Sequence, residues 1–71
     1  MPSDIQTRLR VLRAERKLTQ QRVAYETNMA QPSYNAIENG KSNPTMQTLI
    51  ALAKYFNVSI DFLVGISDKR D

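Results

Sequence analysis

Apolar side chains recur along this chain at helical spacing, in short segments separated by residues that favour turns. Ile5, Leu9 and Leu12 lie four and three residues apart, which places them on one stripe of a helix over about residues 4–16. Four later segments show similar spacing, and none of any length has the pattern of a strand. The pattern therefore predicts an all-α chain of five short helices.

Polar residues suited to helix N-termini precede these segments. The run from Ser3 to Gln6 matches a capping box, in which Ser3 accepts from the third helical amide and Gln6 reaches back to the Ser3 amide. Asp4 adds a negative charge in the first turn, where the helix dipole favours it. Residues suited to the starts of the later helices are Thr19, Pro32, Thr45 and Ser59.

Residues that tolerate a left-handed backbone follow the same segments, at Asn28, Gly40, Asn57 and Gly65. They place helices over about residues 20–27, 31–39 and 46–56, and a short last helix that begins near Ile60. The side chains expected to face inward from these helices are Val23, Ala24, Met29, Tyr34, Ile37, Met46, Leu49, Leu52, Ala53, Phe56, Ile60 and Leu63.

Composition narrows the classes of function. The 71 residues include no cysteine and no histidine, which excludes disulfides, a zinc finger and histidine-based catalysis. The carboxylates are scattered and no Gly-rich phosphate loop is present, so we expect no enzyme, no cofactor and no bound metal. No apolar run reaches the roughly 20 residues that cross a bilayer, and no secretory signal is visible. We expect a cytoplasmic domain over residues 1–66 and a charged, mobile tail at residues 67–71.

Basic residues concentrate at the N-terminal end. Residues 1–22 carry six basic against two acidic side chains, a net charge of +4, whereas residues 23–71 carry four against five, a net −1. Such a bias suggests nucleic acid or a membrane surface as a partner, and a solvated helix face explains it equally well. In either case Arg8, Arg10 and Arg16 are expected to be solvated or to steer a partner at long range.

The segment from Thr19 to Lys41 has the organisation of a helix-turn-helix. A short helix is followed by a turn centred on Asn28 and by a second helix of similar length. Ala24 is small enough for the second helix to cross closely, and Val23 can pack against that helix. This arrangement presents one helix to the DNA major groove.

From about Ile5 to Gly65 the chain resembles the Cro/cI (XRE) type of helix-turn-helix domain. The segments that carry the resemblance are Leu9–Arg13, Leu18–Gln20, Ala24, Ile37–Lys41, Pro44–Thr45 and Leu49–Leu63. The most specific of them is the IENGK sequence of Ile37–Lys41. The resemblance implies a compact, lambda-repressor-like bundle of five helices, with helices 2 and 3 forming the helix-turn-helix. It also implies two-fold dimers on palindromic operators, with helix 3 in the major groove.

The resemblance also implies base contacts from the third helix. Gln31 matches its first residue, and Ser33 and Asn35 are the other short polar groups expected to reach bases. Ala36 stands at a position that is often polar, and Pro32 has no hydrogen-bonding side chain. This thin polar surface leaves two alternatives open, methyl contacts to thymine or weak intrinsic specificity.

Other positions match backbone contacts and a structural pair. Phosphate contacts are expected at Gln20, Asn39, Lys41 and Arg10. Arg13 and Glu38 match an ion pair that ties helix 1 to the end of helix 3, and we interpret Glu38 as structural. The spacing of Tyr34 favours the core, although its hydroxyl could emerge near a phosphate. Lys17 stands where glycine is common.

The leading hypothesis is a sequence-specific transcriptional regulator, most often a repressor, that binds double-stranded DNA at a palindromic operator. We expect a homodimer built from the last helix, because its apolar residues exceed what a short helix can bury. The residues expected at this interface are Phe62, Val64 and Ile66. The alternatives are an antitoxin that binds a toxin protein and represses its own operon, and a restriction–modification controller. No membrane or metal partner is expected.

Overall fold

The structure, a computed structural model, describes residues 4–71. Five helices follow in order: α1 (Ile5–Glu15), α2 (Gln20–Glu26), α3 (Gln31–Glu38), α4 (Met46–Phe56) and α5 (Ile60–Leu63). The described residues contain no strand, and none of their helices is long and apolar enough to span a bilayer. The predicted all-α fold of five helices is confirmed, with helix ends within one or two residues of those expected.

The predicted N-terminal caps are confirmed in three helices, and the first helix differs. In α2, α4 and α5 the cap hydroxyl accepts from the amide three residues ahead, and these caps are Thr19, Thr45 and Ser59. In α1 the cap is Asp4 rather than Ser3, since Asp4 Oδ1 accepts from the Thr7 amide at 2.8 Å. A carboxylate satisfies that amide and also interacts favourably with the helix dipole, so it can take the cap position. Ser3 lies outside the described residues.

The core is made of ten buried apolar side chains drawn from all five helices: Leu9, Leu12, Val23, Ala24, Tyr34, Ile37, Leu52, Ala53, Phe56 and Leu63. Tyr34 is completely buried, so the expectation that it belongs to the core is confirmed. Met46 was expected to extend the inward face of α4, and this is wrong, because 62% of its surface is exposed. It lies in the first turn of α4, before the part of that helix that its neighbours cover.

Left-handed residues end the helices as expected. The backbone angle φ is positive at Asn28, Gly40, Asn57 and Gly65. A fifth left-handed residue is Lys17, at φ 55°, in the turn between α1 and α2. There the Leu18 amide donates to the Arg13 carbonyl at 3.0 Å, which requires the chain to reverse at Lys17.

We expect Lys17→Gly to stabilise the protein by about 0.5–1 kcal/mol. A left-handed residue with a Cβ is strained by about 1–2 kcal/mol, and the greater freedom of unfolded glycine offsets part of the gain. Lys17 is exposed and has no ion pair within residues 4–71, so its charge contributes little. Urea unfolding measures the change. Lys17→Ala is the control, because it removes the charge but keeps the Cβ, and a similar gain in that variant would refute the backbone explanation.

The C-terminal residues, expected to be mobile, return to α1. Both guanidinium nitrogens Nη1 and Nη2 of Arg70 donate to the Glu15 carboxylate, each at 2.8 Å. The Ser59 amide donates to the Arg70 carbonyl, and Ser67 accepts a hydrogen bond from Arg8 of α1. Residues 67–71 therefore connect the ends of α1 and α5.

Candidate nucleic-acid interface

Helices α2 and α3 pack directly against each other as a helix-turn-helix. Val23 and Ala24 of α2 are buried, with 0% and 1% of their surfaces exposed, so little separates the two backbones. The turn between the helices contains the left-handed Asn28, and the Met29 amide donates to the Ala24 carbonyl at 2.8 Å. These local features direct α3 across α2 and leave one side of α3 in solvent.

The solvent side of α3 is the candidate DNA-binding surface. The buried residues of this helix are Tyr34, Ile37 and Glu38. With 3.6 residues per turn, the side opposite them holds Pro32, Ala36 and Asn39, which we call the outer face of α3. Gln31 and Ser33 are exposed at the two edges of this face. Two of the predicted base contacts therefore flank a surface whose centre is apolar.

Asn35, the third predicted base contact, is only partly accessible. Its Oδ1 atom is buried and has no hydrogen-bond partner among residues 4–71. A bidentate contact to adenine requires both the oxygen and the nitrogen of the amide. The contact stays a prediction, and it requires the Asn35 amide to turn outward.

A buried carboxylate connects the first three helices. Glu38 of α3 has 1% of its side chain exposed and forms an ion pair with Arg13 of α1. Arg13 Nε donates to Glu38 Oε2 at 3.1 Å, and Arg13 Nη2 donates to Oε1 at 2.8 Å. Gln20 Nε2, from α2, donates to the same Oε1 at 3.1 Å. The position of α3 relative to α1 and α2 is therefore held by charge-assisted hydrogen bonds.

The protonation of this cluster follows from its contacts. Burial alone raises the pKa of Glu38, but hydrogen bonds from Arg13 and Gln20, together with the nearby Tyr34 hydroxyl, more than offset it, and the pKa lies below the ordinary value. Burial, followed by the nearby Glu38 carboxylate, raises the pKa of the Tyr34 hydroxyl. That hydroxyl has no partner of normal hydrogen-bond geometry among residues 4–71, although it lies close enough to Glu38 to influence it. Glu38 is thus ionised and Tyr34 neutral at physiological pH.

Gln20, a predicted phosphate contact, has its side-chain nitrogen in this cluster. The hydrogen bond to Glu38 fixes the orientation of its amide. Contact with a phosphate stays a prediction, and it would be made by a side chain whose position Glu38 sets. The sequence did not indicate this connection, because the two residues are 18 positions apart.

Arg8 is not solvated, so the expectation that it steers a partner is wrong. Only 6% of its surface is exposed. Its Nη1 atom donates to the carbonyls of Phe62 at 2.8 Å and Ser67 at 2.6 Å, and its guanidinium lies 4.3 Å from the centre of the Phe62 ring. The carbonyls after a helix have no partner in the helix itself, and a cation there also suits the helix dipole. Arg8 therefore closes the C-terminal end of α5.

Two more arginines act in the same way, Arg10 of α1 and Arg16 just after it. Arg16, also expected to be solvated, donates to the carbonyls of Tyr55 at 3.0 Å and Phe56 at 2.6 Å, at the end of α4. Arg10 donates to the backbone carbonyl of Glu38 at 3.0 Å, at the end of α3. The basic N-terminal end is thus used mainly inside the fold. Arg10 is exposed and stays a predicted phosphate contact.

A shallow cleft beside Gln31 contains residues that the sequence analysis did not select. It is lined in part by Arg22, Tyr25 and Met29, and 78% of the Tyr25 surface is exposed. Arg22 is paired with Glu26 at 3.2 Å but remains largely open to solvent. Both Arg22 and Tyr25 lie opposite the buried side of α2, and helical spacing from Val23 and Ala24 would have indicated this exposure.

The remaining predicted contacts differ in accessibility. Asn39 and Lys41, just after α3, are exposed and available to a phosphate. Of the predicted dimer residues, Ile66 is 78% exposed, whereas Phe62 and Val64 are half-buried. Phe62 also lies beneath the guanidinium groups of Arg8 and Arg70. All of these contacts stay predictions.

Comparison with known proteins places the chain in a family. A model described as helix-turn-helix matches residues 9–63. The uncharacterized HTH-type transcriptional regulator YobD of Bacillus subtilis is 36% identical over 64 residues, which cover 90% of this chain and 57% of that protein. The cryptic phage CTXphi transcriptional repressor RstR of Vibrio cholerae is 37% identical over 62 residues, covering 87% and 56%. The chain thus spans little more than half the length of these curated relatives.

A solved structure has the same fold. The crystal structure of a transcriptional regulator from Listeria innocua superposes with a TM-score of 0.81 at 31% identity, covering 92% of this chain and 61% of that one. The family model, over residues 9–63, includes both α2 and α3. The chain therefore belongs to the helix-turn-helix family, in its Cro/cI (XRE) branch.

Proposed function

We propose that this protein is a sequence-specific DNA-binding transcriptional regulator and that it acts as a repressor. The observation that carries the proposal is the exposed outer face of α3, held at a fixed angle by the buried Arg13–Glu38 pair. An α-helix presented in this way fits the major groove. The relative RstR is named as a transcriptional repressor, which supports the direction of regulation.

The proposed active form is a homodimer on a palindromic operator. One helix of eight residues contacts too few base pairs to select a single genomic site. Two copies related by a two-fold axis would place their α3 helices in major grooves about 34 Å apart, one turn of the double helix. We propose that the dimer surface includes Phe62, Val64 and Ile66, of which Ile66 is the most exposed.

The test is selection of bound duplexes from a random pool with the purified chain, followed by salt titration. We expect enrichment of one palindromic sequence. Arg8 and Arg13 are engaged inside the fold. Of the exposed basic side chains we expect three, Arg10, Arg22 and Lys41, to contact phosphates. Three phosphate contacts give a slope of about −3 per protomer in a plot of log affinity against log salt concentration. Failure to enrich any sequence would refute the proposal, and copurification with a second protein would favour the antitoxin alternative.

We expect Gln31→Ala to weaken operator binding and to relax selectivity at one base pair of each half-site. A bidentate amide–adenine contact contributes about 1–3 kcal/mol of discrimination, equivalent to a factor of about 5–150. Binding to the selected operator and to single-base variants measures the effect. Lys54→Ala is the control for selectivity, because Lys54 is exposed near the C-terminal end of α4, where it lines a cleft with Ser59 and Ile60. Unaltered selectivity in Gln31→Ala would exclude a base contact by this residue.

A further inference from the structure

We propose that the outer face of α3 selects its operator through the methyl groups of thymine, which Pro32 and Ala36 contact. The inference rests on the proposed function and names the chemistry by which the same surface would distinguish bases. The sequence left two alternatives open, methyl contacts to thymine and weak intrinsic specificity. We infer the first.

Pro32 and Ala36 lie on the outer face of α3. They are one helical turn apart on the side of α3 opposite its buried residues, which is the side that would face the groove. Pro32 is exposed and has no amide hydrogen, and Ala36 ends in a methyl group. Neither side chain can make a hydrogen bond to a base edge. The polar residues Gln31 and Ser33 lie to the sides, where they would reach neighbouring base pairs.

The surface around Ala36 is concave. Ala36 is half-buried in a shallow cleft that Pro32, Pro44 and Thr45 also line. The loop on the far side is fixed, because the Lys41 and Ser42 amides both donate to the Ala36 carbonyl, at 2.8 Å and 3.2 Å. The cleft is therefore formed before any DNA binds. Pro32, Ala36 and Pro44 form an apolar part that can accept a small hydrocarbon group, and the remaining lining includes the polar residues Ser33, Ser42, Asn43 and Thr48.

Of the groups that base pairs present in the major groove, one matches the apolar surface of Pro32 and Ala36. In the major groove the C5-methyl of thymine is the only hydrocarbon group that a base pair presents. A cytosine amino group directly against Pro32 and Ala36 would lose hydrogen bonds to water, and neither of these two side chains offers an acceptor in exchange, which is unfavourable. The surface therefore favours thymine over cytosine at one or two positions of each half-site.

The test uses the operator obtained by selection, with each thymine replaced in turn by deoxyuridine, which lacks only the methyl group. We expect a loss of affinity of about fourfold for each contacted methyl, equivalent to the ~0.8 kcal/mol of burying one methylene. The loss should occur at one or two positions per half-site. In the variant Ala36→Ser the deoxyuridine penalty should disappear at one of them. Ala14→Ser, at an exposed position of α1, is the control that should retain every penalty.

The outcomes separate the inference from the proposed function. If no duplex is enriched, the proposed function fails and the inference fails with it. If a sequence is selected but deoxyuridine has no effect at any position, or no thymine is selected, the inference alone is overturned. A penalty that Ala36→Ser leaves unchanged at every position also overturns it, because the methyl groups would then be recognised elsewhere.

Discussion

Glu38→Ala is expected to lower the free energy of unfolding by about 3–5 kcal/mol, the range for removing one partner of a buried ion pair. The substitution leaves the Arg13 guanidinium without its carboxylate in a site where only 24% of its side chain is exposed. It also removes the acceptor of the Gln20 amide. Small domains have little stability to lose, so a large unfolded fraction is expected at ambient temperature. Urea unfolding followed by circular dichroism measures the change.

Two further variants separate stability from orientation. Glu38→Gln keeps the shape of the side chain but removes its charge, and it should be intermediate in stability. The double variant Arg13→Met/Glu38→Leu replaces the pair by apolar side chains of similar size and should regain much of the stability. If the pair orients α3, operator affinity stays low in the refolded double variant. An unchanged unfolding midpoint in Glu38→Ala would contradict the structural role altogether.

The same carboxylate gives a pH dependence of defined sign. The pKa of Glu38 is lower in the folded protein than its ordinary value of 4.5. Its contribution to stability is therefore complete above about pH 4.5 and is lost as the pH falls towards the folded pKa. Wild type should lose stability more steeply than Glu38→Gln in this acid range. If the free energy of unfolding depends on pH in the same way in the two proteins, the pKa of Glu38 is the same in the folded and unfolded states.

Arg8→Ala is expected to lower the free energy of unfolding by about 2–3 kcal/mol. Leaving a part-buried acceptor without its partner costs about 1–3 kcal/mol, and this applies to the Ser67 carbonyl, whereas the Phe62 carbonyl still accepts from the Gly65 amide at 3.1 Å. The stacking of the guanidinium on the Phe62 ring is lost as well. Urea unfolding measures the difference.

The control for Arg8 is its exposed ion-pair partner. Asp68 accepts from Arg8 at 2.9 Å, but 97% of its side chain is open to solvent. Asp68→Ala should therefore change stability little, because exposed ion pairs are weak. A large effect of Asp68→Ala with a small effect of Arg8→Ala would show that the ion pair, and not the closure of the α5 end, is the important contact.

Local chemistry predicted most of the fold. The hydroxyl caps Thr19, Thr45 and Ser59 act on amides three residues ahead, and the left-handed Asn and Gly residues act on their own backbone. The error at the start of α1 arose where two adjacent residues, Ser3 and Asp4, could both serve as a cap. Met46 was misplaced because helical periodicity gives the direction of a side chain but not how far the neighbouring helices extend.

The candidate site was less predictable. The family resemblance placed Gln31, Ser33 and Asn35 on the outward side of α3, and the structure exposes Gln31 and Ser33. The resemblance did not show that Asn35 turns its oxygen inward or that the Gln20 amide donates to Glu38. Both facts depend on packing between helices, and the spacing of residues within one helix gives no information about that packing.

The sequence by itself determined the number of helices, their ends and the helix-turn-helix, because these depend on residues within about four positions of one another. Only the tertiary structure decided which partners the arginines at the basic N-terminal end have. Arg8 meets the Phe62 carbonyl across 54 positions and Arg16 meets the Phe56 carbonyl across 40. A count of charges cannot distinguish an arginine that donates hydrogen bonds to the end of another helix from one that is free to contact DNA. The difference arises because the unpaired carbonyls at helix ends come within reach of α1 only when the chain folds.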